Sequence, residues 1–244
     1  MSRSRRSDSV QQADPILRAA QVTRIFPASS GDVPAVTGAD LELFAGQLLV
    51  VRGPSGSGKT TLLNMLGGLD RPTSGAVFYG DADLSAMPEA KALVIRRAEV
   101  SYIFQSFGLI PVLSAAENVE VPLRLSKVDP KERQQRVAQA LERVGLAEHA
   151  NQRPYELSGG QQQRVGIARA LVTNPRVLIA DEPTGQLDSD TAAAIMTLLA
   201  DLTHDEGLAA VVSTHDPLLM DRADRVLELH DGHLQHRGGR HAAT

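Results

Sequence analysis

The chain has 244 residues, 42% of them hydrophobic, 22% charged and 3% aromatic, a balance that supports one domain with a substantial core and excludes disordered and fibrous classes. A formal charge of −4 gives no chain-wide electrostatic basis for holding nucleic acid or an anionic membrane, and no nucleic-acid partner is expected. The lack of cysteine excludes disulfides and thiolate metal sites, and no apolar run approaches the ~18 residues of a spanning helix.

The leading "MSRSRRSDSVQQAD" is basic and serine-rich, with no apolar segment of the kind a signal peptide needs, so residues 1–15 read as a disordered tail. From Ile16 to Phe44, "ILRAAQVTRIF" and "VTGADLELF" are strand-like and are separated by the turn-rich "PASSGDVP". "LLVVRG" is a short continuous apolar run ending in Gly53, the pattern of a strand buried on both faces of a parallel sheet.

"GPSGSGKT", Gly53 to Thr60, matches G-x-x-x-x-G-K-[ST] between that strand and a helix predicted from Lys59. Small residues at Gly53, Pro54, Ser55, Gly56, Ser57 and Gly58 let backbone N–H groups from Ser55 to Thr61 wrap phosphates, and the helix dipole adds positive potential. Lys59 is expected to reach the β- and γ-phosphates, Thr60 to offer its hydroxyl to Mg²⁺, and Thr61 to touch the α-phosphate.

"VSYIF" reads as another buried strand, and it leads to Gln105. Between Phe107 and Thr173 helical signals dominate, which marks a helical subdomain. Its clearest helix is "PKERQQRVAQALERVG": Pro130 suits the first turn, Val137, Leu141 and Val144 form an apolar stripe, and Gly145 can be the left-handed cap.

"LSGGQQQRV", Leu157 to Val165, begins with an S-x-x-Q capping box of Ser158 and Gln161. A helix start does not need the adjacent Gly159 and Gly160, which cost backbone entropy. They fit a place where a second phosphate approaches the backbone, although one nucleotide needs only one cradle. "RVLIADEPT" is a strand ending in two acids: Asp181 is suited to hold Mg²⁺ through its water shell, and Glu182 to act as base or water-positioning group for attack on a γ-phosphate.

"LAAVVSTH" is a further buried strand, so that strands and helices alternate as in a mostly parallel α/β sheet. In "RVLELHDGHLQHR", Asp231-Gly232 signals a type I′ hairpin. His230, His233 and His236 surround it, with His241 beyond. Imidazoles can bind a transition metal, but no acidic partner is evident, and the plainer reading is an exposed hairpin and tail. No internal repeat is visible.

The phosphate loop and the acidic strand end define a P-loop NTPase, and with "LSGGQ" the chain resembles the ATP-binding-cassette (ABC) ATPases over about residues 16–236, leaving a flexible tail at 237–244. The resemblance implies a P-loop core with a mostly parallel sheet, an N-terminal antiparallel β subdomain and an inserted helical subdomain at about 107–173. It implies an ATPase that dimerises head to tail around two Mg²⁺-ATP. Ser158, Gly159, Gly160 and Gln161 of one copy then serve the γ-phosphate held by the other copy's loop. Gln105 matches the glutamine loop that senses Mg²⁺ and the attacking water, Asp188 in "GQLD" the loop that crosses the dimer, and His215 the switch histidine that contacts the γ-phosphate. Phe26 stands where the family has an aromatic, more often Tyr, that stacks on adenine.

Within the family, "GPSGSGKTTLLNMLGGLDRPTSG", "FQSFGLIPVLSAAENVEVPL" and "ADEPTGQLDS" look like the macrolide-export and lipoprotein-release branch. That branch implies a homodimer beneath a separately encoded membrane permease, on the inner face of the cell membrane, with the permease choosing the cargo. Gly108 and Gln186 depart slightly from the usual residues. "GLIPVLSAAENVEVPL" is too apolar to be wholly solvated and is the expected permease-docking stretch. The bacterial cell-division ATPase shares every motif, so a mechanical role beside a permease-like protein is the competing reading. Soluble ABC ATPases of DNA repair or translation carry coiled-coil arms or fused cassettes, whereas about fifty residues separate Gln105 from Ser158 here. A P-loop kinase or GTPase has no use for the signature.

Overall fold

The computed structural model describes residues 14–29, 31–215 and 217–236. Residues 1–13 and 237–244, which the sequence reads as tails, lie outside them. Along the chain, β1 (Leu17–Phe26), β2 (Val33–Leu43) and β3 (Leu48–Arg52) precede α1 (Lys59–Leu66). Next come β4 (Ser74–Tyr79), the short β5 (Ala82–Asp83), α2 (Glu89–Glu99) and β6 (Val100–Ile103). Three helices follow, α3 (Ala115–Leu125), α4 (Pro130–Arg143) and α5 (Gly159–Leu171). The remainder is β7 (Val177–Asp181), α6 (Ser189–Glu206), β8 (Ala209–Thr214), β9 (Arg225–His230) and β10 (His233–His236).

One sheet has the order β10-β9-β3-β8-β7-β6 and is parallel apart from the β9–β10 hairpin. In β3, Leu48 and Val50 face a core shared with α3 to α6, while Leu49 and Val51 face a second core shared with α1 and the other sheet. Coverage on both sides explains why "VLIAD" and "AAVVST" are buried at every position and read as unbroken apolar runs instead of alternating ones. The second sheet is antiparallel, in the order β2-β1-β4-β5.

The sequence reading contains neither β4 and β5 nor α2. The first two are short, and β4 is held by pairing with β1, Leu17 opposite Tyr79 through Thr23 opposite Ser74, which local periodicity does not encode. In α2 Ala92 is the one fully buried residue, so the helix shows little of an apolar stripe.

Among the helices, α4 starts at Asp129, whose carboxylate accepts the Lys131 N–H at 2.9 Å, with Pro130 in the first turn. It buries Val137 and Leu141 and ends before Gly145 at φ 71°. A capping box of Ser114 and Glu117 starts α3. Asn118, fully buried on α3, accepts the Ile110 N–H at 2.7 Å and donates to the carbonyls of Ile110, Leu113 and Ser114 at 3.0–3.2 Å, pinning the loop before the helix. Asn118→Ala takes the partner from the Ile110 N–H and the Leu113 carbonyl, while the Ile110 and Ser114 carbonyls keep backbone donors, and is expected to lower unfolding free energy by about 2–3 kcal/mol in urea titrations.

At the hairpin, Asp231 has φ 46° and Gly232 φ 77°, and His230 pairs with His233 across two residues, as a type I′ turn requires. Its tip is built into the molecule. The Gly232 N–H donates to the Ser57 carbonyl at 3.1 Å, and the Thr37 N–H to the Gly232 carbonyl at 2.8 Å, so β2 and β10 jointly brace the phosphate loop.

Candidate functional site

The loop from Gly53 to Gly58 joins β3 to α1 at the carboxyl edge of the parallel sheet. Gly58 sits at φ 103°, and a Cβ there would stand 2.1 Å from the Ala35 carbonyl oxygen; one on Gly53 would stand 2.1 Å from that of Leu229. Strands β2 and β9 thus clasp the loop where no side chain fits. Helix α1 has no capping side chain and no acidic residue in its first turn, which leaves its amino end electropositive. The Ser57 hydroxyl is buried with no hydrogen-bond partner among the described residues. Ser55 and Gly56 are exposed, and Thr61 is half-buried in the first turn of α1.

Lys59 is only 5% exposed, an environment that a lysine tolerates only when paired. Its ammonium donates to the carbonyls of Gly53 at 2.9 Å and Pro54 at 3.1 Å and lies 3.3 Å from Glu182 Oε1. Three donors thereby meet three oxygens.

At the end of β7, Asp181 is buried between two hydroxyls. Thr60 donates to its Oδ2 at 2.7 Å and Ser213 to its Oδ1 at 2.7 Å. Ser213 in turn accepts the Glu182 N–H at 2.8 Å. Sequence reasoning does not find Ser213; the β7–β8 register, Asp181 opposite Ser213, puts it there. A serine closing a buried apolar strand beside an acidic strand end is the one signal available.

Glu182 holds φ 45°, a left-handed conformation that a non-glycine residue keeps only when its surroundings impose it. The Ser213 bond supplies part of that constraint. Glu182 Oε2 lies 3.5 Å from both Gln105 Nε2 and His215 Nδ1. Three side chains spread over more than 150 residues, Lys59, Gln105 and His215, therefore converge on the Glu182 carboxylate. An anion-cradling loop, a cation, an acid able to accept a proton and an exposed imidazole together form a hydrolytic phosphate site.

The residues fit Mg²⁺. The paired Thr60 hydroxyl and Asp181 carboxylate are hard oxygen donors beside the loop. No group of three or more His, Cys, Asp or Glu among the described residues could hold a metal alone, which matches an ion that relies on phosphate and water oxygens. The C-terminal histidines form no such group among the described residues, and His230 lies 3.1 Å from Asp231. The His236 side chain and His241 lie outside them.

Phe26, at the end of β1, is 38% exposed and so is not a core residue. The Arg24 guanidinium lies 4.5 Å from its ring centroid and pairs with Asp70 at 2.8 Å, covering one face of the ring.

The signature turn forms the capping box read from sequence. Gln161 N–H reaches Ser158 Oγ at 3.3 Å, and Ser158 N–H reaches Gln161 Oε1 at 2.9 Å. Packing gives Gly160 a further reason to be glycine, since a Cβ there would stand 2.5 Å from Thr191 Cγ2, where α5 lies against α6. At Gly159 a Cβ would make ordinary contacts, 3.4 Å to Leu187 and 3.7 Å to Phe107. Asp188 accepts the Thr191 N–H at 3.0 Å and its hydroxyl at 2.7 Å, capping α6. The Thr191 backbone bond is the main cause that holds this carboxyl below its usual range. Among the described residues no hydrogen bond or ion pair joins Ser158–Gln161 to the Gly53–Thr61 loop, and the atoms nearest a Cβ on Gly159 or Gly160 belong to Leu187, Phe107 and Thr191.

A family model described as ABC transporter matches residues 36–185. The uncharacterized ABC transporter ATP-binding protein YvrO of Bacillus subtilis is 43% identical over 87% of this chain and 93% of its own. The lipoprotein-releasing system ATP-binding protein LolD 2 of Caulobacter vibrioides is 40% identical over 91% and 98% respectively. The macrolide export ATP-binding/permease protein MacB of Salmonella typhimurium is 41% identical over 91% of this chain but only 34% of its own length. Among solved structures, the dimeric bacterial ABC transporter cassette MJ0796 has a TM-score of 0.83 at 38% identity, covering 91% of this chain and all of that one. A dimeric post-hydrolysis state of the same cassette, bound to ADP and Pi, matches equally well.

Proposed function

This chain belongs to the ABC transporter family as an ATP-hydrolysing cassette using ATP and Mg²⁺, and from that premise we propose that two copies close head to tail around two nucleotides and drive a separately encoded membrane permease. The observation that carries the reading is the pair of half-sites: a phosphate cradle with Lys59 and Glu182, and a capped signature turn at Ser158 that, among the described residues, no hydrogen bond or ion pair ties to it. A second copy supplies the missing half. The dimeric MJ0796 cassette supports the arrangement by analogy.

In each site the α1 amino end and Lys59 bind the triphosphate, Phe26 offers its open face to the adenine, and Thr60, Gln105 and Asp181 hold Mg²⁺, which when bound neutralises charge on the phosphates. Glu182 orients the attacking water and takes its proton, while Gln105 and His215 flank that carboxylate and fix the water against the γ-phosphate. The partner's Ser158 hydroxyl and Gly159 backbone close the site and exclude bulk water, with Asp188 shaping the loop that crosses the dimer. Attack of the water breaks the bond between the β- and γ-phosphates to give ADP and inorganic phosphate; once that phosphate leaves, the group bridging Lys59 of one copy and Ser158 of the other is gone, and the copies separate.

No helix among the described residues is long and apolar enough to cross a membrane. The permease docks where a cleft of about 210 Å³ opens between α2, β6 and the helices α3 and α5, lined by Arg96, Tyr102, Pro122, Leu125 and Arg169. Exposed Phe104 stacks on Tyr102 of that lining with ring centroids 4.6 Å apart, and Ile110 and Val112, the last 72% exposed, are further large apolar side chains left open on the surface. The LolD and MacB likeness supports a permease of the lipoprotein-release or macrolide-export type, and such a partner would draw the cassette to the inner membrane face. Affinity purification of the tagged chain from native membranes is expected to recover an integral membrane protein with few spans and a large extracytoplasmic domain. Recovery of a cell-division or wall-remodelling assembly would overturn the transport reading in favour of a mechanical one.

A further inference from the structure

We propose that Arg169 is a positioning residue that clamps the glutamine loop to the signature helix, so that the seating of Ser158 on one nucleotide sets where Gln105 stands beside the other. The inference rests on the reading above, in which Ser158 and Gln105 serve different nucleotides.

The geometry is confined to α5 and residues 105–108. Phe107 and Gly108 are consecutive left-handed residues, at φ 50° and 62°, and both of their carbonyls meet α5. Arg169 Nη1 donates to the Gly108 oxygen at 2.6 Å and Nη2 to the Phe107 oxygen at 3.1 Å. The planar fork thus spans two successive peptide groups more than 60 positions away. Arg169 is half-buried, and desolvation lowers its pKa. Among the described residues no carboxylate pairs with it, so its charge is committed to these two carbonyls.

Phe107 also lies along the helix. Its ring tip is 3.7 Å from where a Cβ of Gly159 would stand, and its carbonyl oxygen 3.4 Å from that of Gly166, seven residues and two turns further on. Arg169 follows at i+3 on the neighbouring turn. Gly159, Gly166 and Arg169 therefore grip one loop along the length of the signature helix, beginning at the residue next to Ser158.

Gln105 is two residues before Phe107, with Nε2 3.5 Å from Glu182 Oε2. So short a tether passes a shift of α5 to Gln105 almost undiminished. Misplacement of a reacting group by about 1 Å can cost roughly a hundredfold in rate. Glycine suits position 108, since the backbone there is left-handed at φ 62° and a Cβ would stand 3.2 Å from Arg169 Nη2.

The test is a double-mutant cycle on ATP hydrolysis by the purified full chain, combining Gln105→Ala with Arg169→Ala and with Arg169→Lys. Arg169→Ala is expected to lower kcat roughly ten- to a hundredfold with the KM for ATP changed less than about twofold. Arg169→Lys, which restores one donor of the fork, should fall between. Since Arg169 acts through Gln105, the double variant should be no more than about twofold slower than the slower single one. Losses that multiply, or an Arg169→Ala enzyme as fast as wild type, overturn the proposal. If Arg169→Ala does not fold, the lysine variant decides by the same cycle. A Gln105→Ala enzyme with unchanged kcat removes Gln105 from its role and the clamp with it, whereas a slow Gln105→Ala enzyme with multiplying losses overturns the clamp alone.

Discussion

Glu182→Gln is expected to bind ATP at least as tightly as wild type, to hydrolyse it at least about a hundredfold more slowly, and to accumulate as an ATP-bound dimer. The amide has the shape of the carboxylate and can keep the left-handed backbone at φ 45°, because the Glu182 N–H to Ser213 bond is a main-chain one. Lys59 loses a charged neighbour at 3.3 Å but retains the Gly53 and Pro54 carbonyls, so the cradle persists. Removing a negative charge from a place where a γ-phosphate arrives cannot weaken binding by repulsion. What disappears is the proton acceptor beside Gln105 and His215. Phosphate release and size-exclusion chromatography with ATP measure the two halves. Turnover within about tenfold of wild type would take the base role away from Glu182.

Ser158→Asp separates the dimer reading from a fold effect. Aspartate caps a helix as well as serine does, so the Gln161 N–H keeps its acceptor and α5 its start. A carboxylate at the turn that faces the partner's triphosphate adds like charge where a donor was needed. ATP-dependent dimerisation should be lost and turnover should fall roughly a hundredfold or more, with the thermal midpoint and nucleotide binding by the single chain retained. Collapse of that single-chain binding would instead mean that the signature acts within its own polypeptide.

Much of the architecture is legible in the sequence because the features concerned are local. The runs at Leu48, Val177 and Ala209 are unbroken because their strands are covered on both faces, and the caps at Ser158, Pro130 and Gly145 involve residues within a turn of one another. β4 escapes notice because its pairing with β1, more than fifty residues earlier, holds it, and α2 because it buries only Ala92 and so shows little of an apolar stripe. Phe26 carries no local mark either. Its exposure at the end of β1, with the Arg24–Asp70 pair over one face, comes from the folded surroundings and not from neighbouring residues in the sequence.

The sequence alone determined the phosphate loop, the acidic strand end and the helix start at Ser158, since each depends on backbone conformations and spacings set by adjacent residues. Only the tertiary structure decided that Lys59, Gln105 and His215 meet at Glu182, that Ser213 holds both acids, that Thr191 packs against Gly160, and that Arg169 grips the glutamine loop. Those contacts arise from sheet register and helix packing, which bring together atoms from residues tens to more than a hundred positions apart and leave no periodic trace along the chain.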